Sequence, residues 1–252
     1  GRCRRIFGTR KVGHAGTLDP MATGVLVLGV NRATRLLGHL MLTEKAYDAT
    51  IKLGESTSTD DAEGETIATS DTSGLSEDQV RAALAEFVGD IDQVPTAVSA
   101  IKVDGKRAYA RVRAGEEVEL SARRVHIASI EVTRVELPEV DISVRCSSGT
   151  YIRAIARDLG AALGVGGHLS ALRRTAVGAF AIAQARSLDV LTEDFAIMPI
   201  AEAARRSFPV VELDETQAQD VRFGRRVTLD LDSLSAVFAP DGEFLALYEP
   251  KS

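Results

Sequence analysis

Residues 13–24 read Gly-His-Ala-Gly-Thr-Leu-Asp-Pro-Met-Ala-Thr-Gly, a glycine-rich stretch with one carboxylate, Asp19. Proline biases the residue before it towards extended backbone, so Pro20 favours an Asp19 side chain that is presented rather than packed away. The glycines permit tight turns and the close approach of a bulky ligand. An Asp-Pro pair also starts ordinary turns, so the pair alone fits a structural role as well. Asp19 is nevertheless the best candidate for chemistry in the chain.

The composition indicates an ordinary globular protein. The chain has 252 residues, 45% of them hydrophobic, which suffices for one large domain, or for a large domain with a small one. The sequence contains no apolar run of membrane-helix length, and its basic start is not followed by the apolar segment of a signal peptide. We therefore expect a cytoplasmic protein with no membrane partner.

Neither the cysteines nor the histidines form a recognisable metal-binding pattern. Cys3 and Cys146 are far apart in the sequence, and neither belongs to a Cys-x-x-Cys pair, which favours reduced thiols. The histidines lack the His-Glu-x-x-His spacing of a zinc site. We expect no metal.

Charge is unevenly distributed along the chain. The net charge of −6 by itself argues against a nucleic-acid partner. Residues 1–45, however, hold eight Lys and Arg against two acids, whereas residues 54–92 hold eleven acids and one Arg. Two further basic stretches follow at 102–124 and 145–174. One face of the protein is therefore suited to a phosphate backbone, although solvated surface charge explains each stretch equally well.

Hydrophobic periodicity predicts a mixed α/β fold. Strands are expected at residues 25–30, 47–53, 125–135 and 140–146. A short helix is expected at residues 33–42, and the polar residues 54–74 indicate a surface loop.

Two further helices have recognisable N-terminal signals. Ser76 with Gln79 has the spacing of a capping box and opens an amphipathic helix. Thr150 is a good N-cap for the other helix, in which Arg153 takes the third position, where a cation opposes the helix dipole. A residue placed against local preference indicates function. The apolar residues at helical spacing are Ile152, Ile155, Ala156, Leu159 and Leu163.

The predicted domain organisation has one insert and one boundary. Residues 93–124 form a basic insert between strand-like segments. The apolar pattern weakens after about Ile200, and a second strand-rich block begins at Phe208. We therefore expect a domain at residues 1–207 and a short one at 208–252.

Several segments, in order along the chain, resemble the motifs of the TruB family, the tRNA pseudouridine-55 synthases. Residues 13–24 resemble the catalytic motif, in which the Asp before the Pro is the nucleophile. Residues 44–47 (Glu-Lys-Ala-Tyr) resemble the family's Lys-x-Tyr segment, and residues 148–153 (Ser-Gly-Thr-Tyr-Ile-Arg) its arginine motif. The basic insert resembles the thumb loop that closes on the RNA. The resemblance covers approximately residues 8–180.

The resemblance implies three catalytic residues. Asp19 would be the nucleophile, and Arg153 would pair with it and keep it ionised and oriented. Tyr47 would stack on the target uracil and take part in removing its C5 proton. Without the family, Arg153 reads as an ordinary helix-surface arginine, and Tyr47 as the start of a half-buried strand.

The resemblance also implies residues that bind substrate. The loop histidine would keep the uridine extruded from its stack, an apolar side chain would line the uracil pocket, and basic thumb residues would hold the RNA. The implied substrate-binding set is His14, Tyr151, Leu172, Lys102, Lys106 and Arg107. Without the resemblance, His14 reads as polar surface and Leu172 as core.

The family further implies a fold. A mixed β-sheet pseudouridine synthase domain would carry the thumb loop and be followed by a small, β-rich, PUA-like domain, which is short here at 208–252. The family's first strand is expected to be missing, since Gly1 falls inside the basic helix that follows that strand.

The implied activity is the conversion of uridine 55 in the tRNA T-loop to pseudouridine by a monomer. It would use base flipping and require neither a cofactor nor an obligatory protein partner. A guide-dependent synthase of the box H/ACA type has the same chemistry and is an alternative, and a non-catalytic RNA-binding protein is another. A glycoside hydrolase requires a second acid at a defined separation, and none joins Asp19 in its loop.

Overall fold

The structure, a computed structural model, describes residues 1–96 and 121–250, together with the backbone of two short strands at 102–103 and 106–107. Residue contacts divide the chain into two compact units. The first unit consists of residues 1–15, 28–40 and 186–252. The second consists of residues 16–27 and 41–185, and it contains the Asp19 loop and the long strands.

Strands and helices alternate through the described residues. The strands are β1 Val12–His14, β2 Thr23–Gly24, β3 Leu28–Val30, β4 Lys45–Leu53, β5 Glu55–Thr57, β6 Thr66–Thr69, β7 Gly89–Gln93, β8 Lys102–Val103, β9 Lys106–Arg107, β10 Arg123–Glu136, β11 Glu139–Cys146, β12 Gly167–Val177, β13 Phe180–Ala181, β14 Val210–Glu212, β15 Ser235–Phe238 and β16 Phe244–Tyr248. The helices are α1 Arg2–Ile6, α2 Leu37–Met41, α3 Glu77–Ala85, α4 Ile152–Ala162, α5 Leu188–Glu193, α6 Ile200–Ser207 and α7 Glu215–Arg222. Short 3-10 helices span Asn31–Leu36 and Ile182–Gln184.

A mixed sheet dominates the second unit. Its strand order is β13-β12-β4-β11-β10-β7, with antiparallel neighbours, and β2 pairs with β12 in parallel. Every second residue of the central strand β4 is buried, from Lys45 to Leu53. The strand predicted at 47–53 from its period-two pattern is thus confirmed, as are those at 125–135 and 140–146.

Helices α3 and α4 contribute to the same core as the sheet. Val80 and Leu84 of α3 are buried in it, and α3 begins with the predicted capping box of Ser76 and Gln79. The predicted apolar face of α4 is buried as well, and Leu163 packs against it just past the last turn. Each fully buried aliphatic side chain stabilises the fold by roughly 1.5–3 kcal/mol.

Helix α4 begins later than predicted. Its N-cap is Tyr151, whereas the Thr150 hydroxyl donates to the Ser147 carbonyl and does not cap the helix. Arg153 is therefore the second residue of α4 rather than the third position counted from Thr150.

The single buried strand predicted at residues 25–30 is wrong. Residues 23–24 form β2 and pair with β12, residues 28–30 form β3 and pair with β1, and the residues between them belong to no strand. The reason lies at Gly24, whose φ is +99° and whose added Cβ atom would lie 2.1 Å from the Arg174 carbonyl oxygen. At Gly24 the backbone is left-handed and lies close to the backbone of Arg174, so the chain turns there and does not continue as one strand. The helix predicted at 33–42 is a 3-10 helix followed by α2.

The first unit contains a smaller sheet formed by the C-terminal residues. Strand β14 pairs with β15 in parallel, and β15 pairs with β16 antiparallel. Helix α7 connects the two parallel strands and buries Ala218 against Leu213, Val237 and Ala239. The block that begins near Phe208 is thus three strands and one helix.

Most of the predicted thumb insert lies outside the described residues. Within it, β8 and β9 pair antiparallel, with Lys102 opposite Arg107. The side chains of Lys102, Lys106 and Arg107 lie outside the described residues.

Gly160, in α4, is predicted to tolerate no side chain. An added Cβ atom would lie 2.1 Å from the Gly166 carbonyl carbon and 2.2 Å from the Gly167 nitrogen. We expect Gly160→Ala to lower the free energy of unfolding by about 1–3 kcal/mol, because overpacking outweighs the gain in helix propensity. The matched control is Gly38→Ala in α2, where nothing lies within 4 Å of the added Cβ. It should raise stability by about 0.5–1 kcal/mol. Urea unfolding measures both, and an unchanged Gly160→Ala protein would contradict this packing.

Candidate active site

Asp19 lies in a loop that the sheet holds in place. The Asp19 carbonyl accepts a hydrogen bond from the Ala22 amide at 3.0 Å, which closes a turn around Pro20. Strand β2 follows directly and pairs with β12. The Asp19 side chain keeps 33% of its surface exposed. The carboxylate is therefore accessible to a ligand.

Arg153 binds Asp19 with two hydrogen bonds. Its Nε donates to Asp19 Oδ2 at 3.1 Å and its Nη2 to Asp19 Oδ1 at 3.2 Å, a fork geometry that matches a carboxylate. The arginine is buried, with 5% of its side chain exposed. Because two parallel bonds fix a plane, this pair sets the orientation of the carboxylate as well as its position.

A second carboxylate, Asp61, holds Arg153 from another side. Arg153 Nη1 donates to Asp61 Oδ2 at 3.2 Å and to the Thr59 carbonyl oxygen at 3.1 Å. Asp61 is itself buried, with 4% of its side chain exposed, and its Oδ1 accepts from the Thr59 hydroxyl and the Glu63 amide. One cation thus lies between two carboxylates in an Asp19–Arg153–Asp61 triad. Removing either carboxylate would leave buried charge uncompensated.

Asp61 was not among the residues predicted from sequence. The polar composition of residues 54–74 indicated a surface loop, and this is wrong in two respects. The segment contains the paired strands β5 and β6, and Thr57 and Asp61 are buried. The Ala62 amide donates to the Leu169 carbonyl of β12, which holds this part of the loop against the sheet. The available signal was Arg153, because a charged side chain that becomes buried is usually paired with an opposite charge.

The position of Asp61 also bears on the glycoside hydrolase alternative. A second acid does lie near Asp19 in space, although none joins it in its loop. Asp61 is buried and bound to Arg153, however. It is therefore not placed to act as the second acid or base on a substrate.

A second buried arginine, Arg174 of β12, anchors the Asp19 loop. Its Nε donates to the Val25 carbonyl at 2.8 Å, and its two Nη atoms donate to the carbonyls of Thr17 and Gly16 at 3.3 and 3.2 Å. The Val25 amide donates back to the Arg174 carbonyl at 2.8 Å. Arg174 therefore ties the loop to the sheet on both sides of Asp19. Its role was not predicted from sequence, where only the neighbouring Leu172 was singled out.

Tyr47 lies in β4, opposite Val144 of β11 and Arg174 of β12, and is buried. Burial raises the pKa of its hydroxyl above the usual value, and the Cys146 thiol and the Asp19 carboxylate act in the same direction. The Arg174 guanidinium opposes them. Tyr47 is therefore neutral at physiological pH and lies close enough to Asp19 to sense its charge.

Two other titratable side chains are buried next to Tyr47. Lys45 donates to the carbonyls of Met41 and Thr43 at 2.9 and 2.8 Å. Burial lowers the pKa of Lys45, and the charge of Arg174 adds to this effect. Burial also raises the pKa of the Cys146 thiol to about 11. Among the described residues, no group of three or more His, Cys, Asp and Glu side chains is placed to hold a metal ion.

Family models match almost the whole chain. The model of the TruB family pseudouridylate synthase N-terminal domain matches residues 4–152. A tRNA pseudouridylate synthase B C-terminal domain matches residues 153–208, and a tRNA pseudouridine synthase II C-terminal segment matches residues 208–252. The chain belongs to the TruB family of pseudouridylate synthases.

Several relatives named tRNA pseudouridine synthase B are similar to this TruB-family protein. The relative from Streptomyces griseus subsp. griseus is 56% identical over 98% of this chain and 87% of its own length. The one from Thermobifida fusca is 55% identical over 100% of this chain and 89% of its own length. The one from Arthrobacter sp. is 54% identical over 98% and 86%.

Solved structures show the same fold. The archaeal box H/ACA sRNP Nop10-Cbf5 complex contains a chain with a TM-score of 0.73 and 25% identity, matched over 98% of this chain and 72% of its own. A Cbf5-Nop10-Gar1 complex contains one with a TM-score of 0.71 and 26% identity, over 98% and 72%. The expected mixed-sheet pseudouridine synthase fold is thus confirmed. No helix in the described part of the TruB-family chain is long and apolar enough to cross a membrane.

The other predicted site residues belong to different elements. His14 is exposed in β1, in the first unit. Tyr151 is half-buried at the N-cap of α4. Leu172 is buried in the core of the sheet and also borders a cleft of about 600 Å³. That cleft is lined by Asp48 and Thr50, which alternate with Tyr47 along β4 and so lie on the other face of the sheet.

Breaking the triad at Asp61 should destabilise the protein. We expect Asp61→Asn to lower the free energy of unfolding by about 1.5–3 kcal/mol, the usual contribution of a buried hydrogen bond to a charged group. The matched control is Glu65→Gln, an exposed carboxylate in the same acidic segment, which should leave stability almost unchanged. Urea unfolding measures the difference, and equal stability of the two variants would show that Asp61 does not compensate Arg153.

The two cysteines should differ sharply in reactivity. Cys146 is fully buried with a raised pKa, whereas Cys3 is partly exposed. With a thiol reagent at neutral pH we expect fast labelling of Cys3 alone, and of Cys146 only after unfolding. Cys3→Ser should abolish the fast phase. Because the unfolded thiol ionises first, stability should also fall as pH rises from about 9 towards 11. Fast labelling of the Cys3→Ser protein would disprove the burial of Cys146.

Proposed function

We propose that this TruB-family protein converts uridine 55 in the T-loop of tRNA to pseudouridine. The observation that carries the proposal is the accessible Asp19 carboxylate, which is held bidentately by the buried Arg153. Asp19 lies within the segment matched by the model of the N-terminal domain. The relatives named tRNA pseudouridine synthase B, 52–56% identical, support tRNA as the substrate. Position 55 and the T-loop rest on the family resemblance of the motifs.

The proposed reaction is an isomerisation that balances within the substrate. The bond between uracil N1 and ribose C1′ breaks, the uracil turns, and a bond between C5 and C1′ forms. The C5 proton is lost and N1 gains one. No electrons or groups are transferred to another molecule, so the chemistry asks for a nucleophile, a pocket that retains the detached base, and a flipped nucleotide, without a cofactor.

Asp19 is the nucleophile in this proposal, acting either at the uracil ring or at the sugar. Two features suit it to the role. Its side chain is partly exposed, and Arg153 holds both carboxylate oxygens, so the carboxylate is oriented before the substrate arrives. Asp61 takes part of the charge of Arg153 and thereby tunes how tightly Asp19 is held.

Tyr47 is the aromatic surface in this proposal. It stacks on the uracil, which suits a flipped base because every base has a π-face. Its raised pKa keeps the hydroxyl protonated at neutral pH. A neutral phenol is a weak base for the C5 proton, so the main contribution of Tyr47 is stacking on the uracil.

The remaining predicted residues complete the proposal. His14 supports the extruded uridine, Tyr151 and Leu172 contribute to the substrate site, and Lys102, Lys106 and Arg107 of the thumb clamp the RNA backbone. We further propose that residues 1–207 form the catalytic domain and residues 208–252 a reduced PUA-like module, in a monomer that works in the cytoplasm without an obligatory protein partner.

A guide-dependent synthase is the second candidate. It is favoured by the similarity to Cbf5 chains, whose solved structures include a Cbf5-Nop10-Gar1 complex and an H/ACA RNP bound to a substrate RNA. The higher identity to the tRNA pseudouridine synthase B relatives favours direct action on tRNA. A non-catalytic RNA-binding protein would not need the oriented Asp19–Arg153 pair.

The decisive experiment is pseudouridine formation on an unmodified T-arm hairpin by the purified protein alone. We expect Asp19→Asn to lower the single-turnover rate by at least about a thousandfold, because the nucleophile is lost. Its affinity for tRNA should stay within about tenfold, since few phosphate contacts change. Arg153→Lys should also be severely impaired, because an ammonium cannot hold both carboxylate oxygens in a plane.

The matched control for Asp19→Asn is Asp48→Asn, an exposed aspartate on the other face of β4, which should keep the wild-type rate. Substantial turnover by Asp19→Asn would remove Asp19 as the nucleophile. Turnover by the wild type only after guide RNA and partner proteins are added would replace the proposal with the guide-dependent one.

A further inference from the structure

A second arginine on α4 faces the same loop as Arg153. Arg157 lies one turn further along the helix, and its Nη1 forms an ion pair with Asp60 Oδ2 at 3.4 Å. Its Nε donates to Asp158 Oδ1 at 2.8 Å, and its Nη2 donates to the Val94 carbonyl at 2.9 Å. This pair is partly buried, with 30% of the Arg157 side chain and 17% of the Asp60 side chain exposed.

Consecutive residues of the loop therefore bind consecutive turns of the helix. Thr59 and Asp61 bind Arg153, and Asp60 between them binds Arg157. The backbone conformation of Asp60 makes this possible. Its φ is +60°, a left-handed value that few residues other than glycine adopt, and its carbonyl accepts from the Leu169 amide at 3.0 Å.

The start of α4 is held from the same side by the end of β7. Gln93 is buried, and its side-chain amide forms two hydrogen bonds with the backbone of Tyr151, the N-cap residue. Gln93 Oε1 accepts from the Tyr151 amide at 2.8 Å, and Nε2 donates to the Tyr151 carbonyl at 3.0 Å. Val94, which accepts from Arg157, follows directly. The first two turns of α4 are thus fixed to the 59–61 loop and to the end of β7 together.

We propose that Asp60 and Arg157 are a positioning pair for Arg153. They do not belong to the Asp19–Arg153–Asp61 triad, but they fix the distance between the 59–61 loop and α4, and this distance sets where the Arg153 guanidinium meets Asp19. A shift of about 1 Å in a positioning contact lowers a reaction rate by up to about a hundredfold. Burial raises the pKa of Asp60 and Arg157 opposes it, which agrees with a carboxylate that depends on its arginine.

The effect of the Asp60–Arg157 pair on the reaction rate rests on the proposed function. Its effect on how firmly Arg153 is held does not. The test therefore has one measurement of each kind. The variants are Arg157→Ala, which removes every contact, Asp60→Asn, which keeps the shape of the side chain, and Arg157→Lys, which keeps the charge. The matched control is Arg81→Ala, which breaks an exposed i, i+4 ion pair with Glu77 on α3 and a hydrogen bond to the Val132 carbonyl.

The first measurement is hydrogen exchange at the Arg153 Nε–H by NMR of isotope-labelled protein, with the signal assigned through Arg153→Lys. We expect exchange at least about tenfold faster in Arg157→Ala and in Asp60→Asn, because a loosened Arg153 opens to water more often. Arg157→Lys should fall between these variants and the wild type, and Arg81→Ala should match the wild type. An Arg153 signal unchanged in both Arg157→Ala and Asp60→Asn would overturn the proposal, whatever the protein does to RNA.

The second measurement is the single-turnover rate on the T-arm hairpin, with affinity measured in parallel. We expect Arg157→Ala and Asp60→Asn to react about tenfold to a hundredfold more slowly at saturating RNA, with affinity within about threefold of wild type. Weaker RNA binding by Arg157→Ala, with an unchanged rate at saturation, would overturn the proposal and make Arg157 an RNA contact. If the wild-type protein leaves the hairpin unmodified, the proposed function is contradicted. The positioning role of Asp60 and Arg157 is then still decided by the exchange measurement.

Discussion

Arg153 is a buried guanidinium that binds two carboxylates, and the rest of the candidate site follows from this arrangement. Two carboxylates from different loops reach the same side chain, Asp19 from the loop before β2 and Asp61 from the loop after β5. Because Arg153 belongs to the first turn of α4, the helix and both loops are held in one arrangement. The charge that stabilises the fold therefore also orients the accessible carboxylate.

The Asp19 loop has a second support of a different chemical kind. Arg174 and Lys45 are buried cations that donate to backbone carbonyls rather than to carboxylates. Such bonds fix the path of the chain and leave the Asp19 side chain to Arg153. The close contact between Gly24 and the backbone of Arg174 completes this support, since a side chain at Gly24 would collide with the strand. Rigidity under the loop and accessibility at its tip are thus achieved by separate residues.

Isomerisation explains why so much of the structure serves orientation. A reaction that transfers no group to another molecule depends on holding the reacting groups in register, and small displacements lower the rate. Arg153 orients Asp19, and Asp60, Gln93 and Arg157 act further out by fixing α4 and its neighbouring loop. The Asp19 loop lies within the segment matched by the family model, and the structure brings it together with Arg153.

Local sequence patterns were sufficient to predict much of the fold and the central residues of the candidate site. The alternation of β4, the apolar face of α4 and the capping box at Ser76 follow from short-range periodicity, and the motif resemblance singled out Asp19, Tyr47 and Arg153. The burial of Asp61 and Arg174, the break in the strand predicted at 25–30 and the pairing of Asp60 with Arg157 were decided only by the tertiary structure. The reason is physical: whether a polar residue is buried depends on which distant segment supplies its partner, and Arg153 and Asp61 are 92 residues apart. Periodicity in one segment carries no information about a partner at that distance.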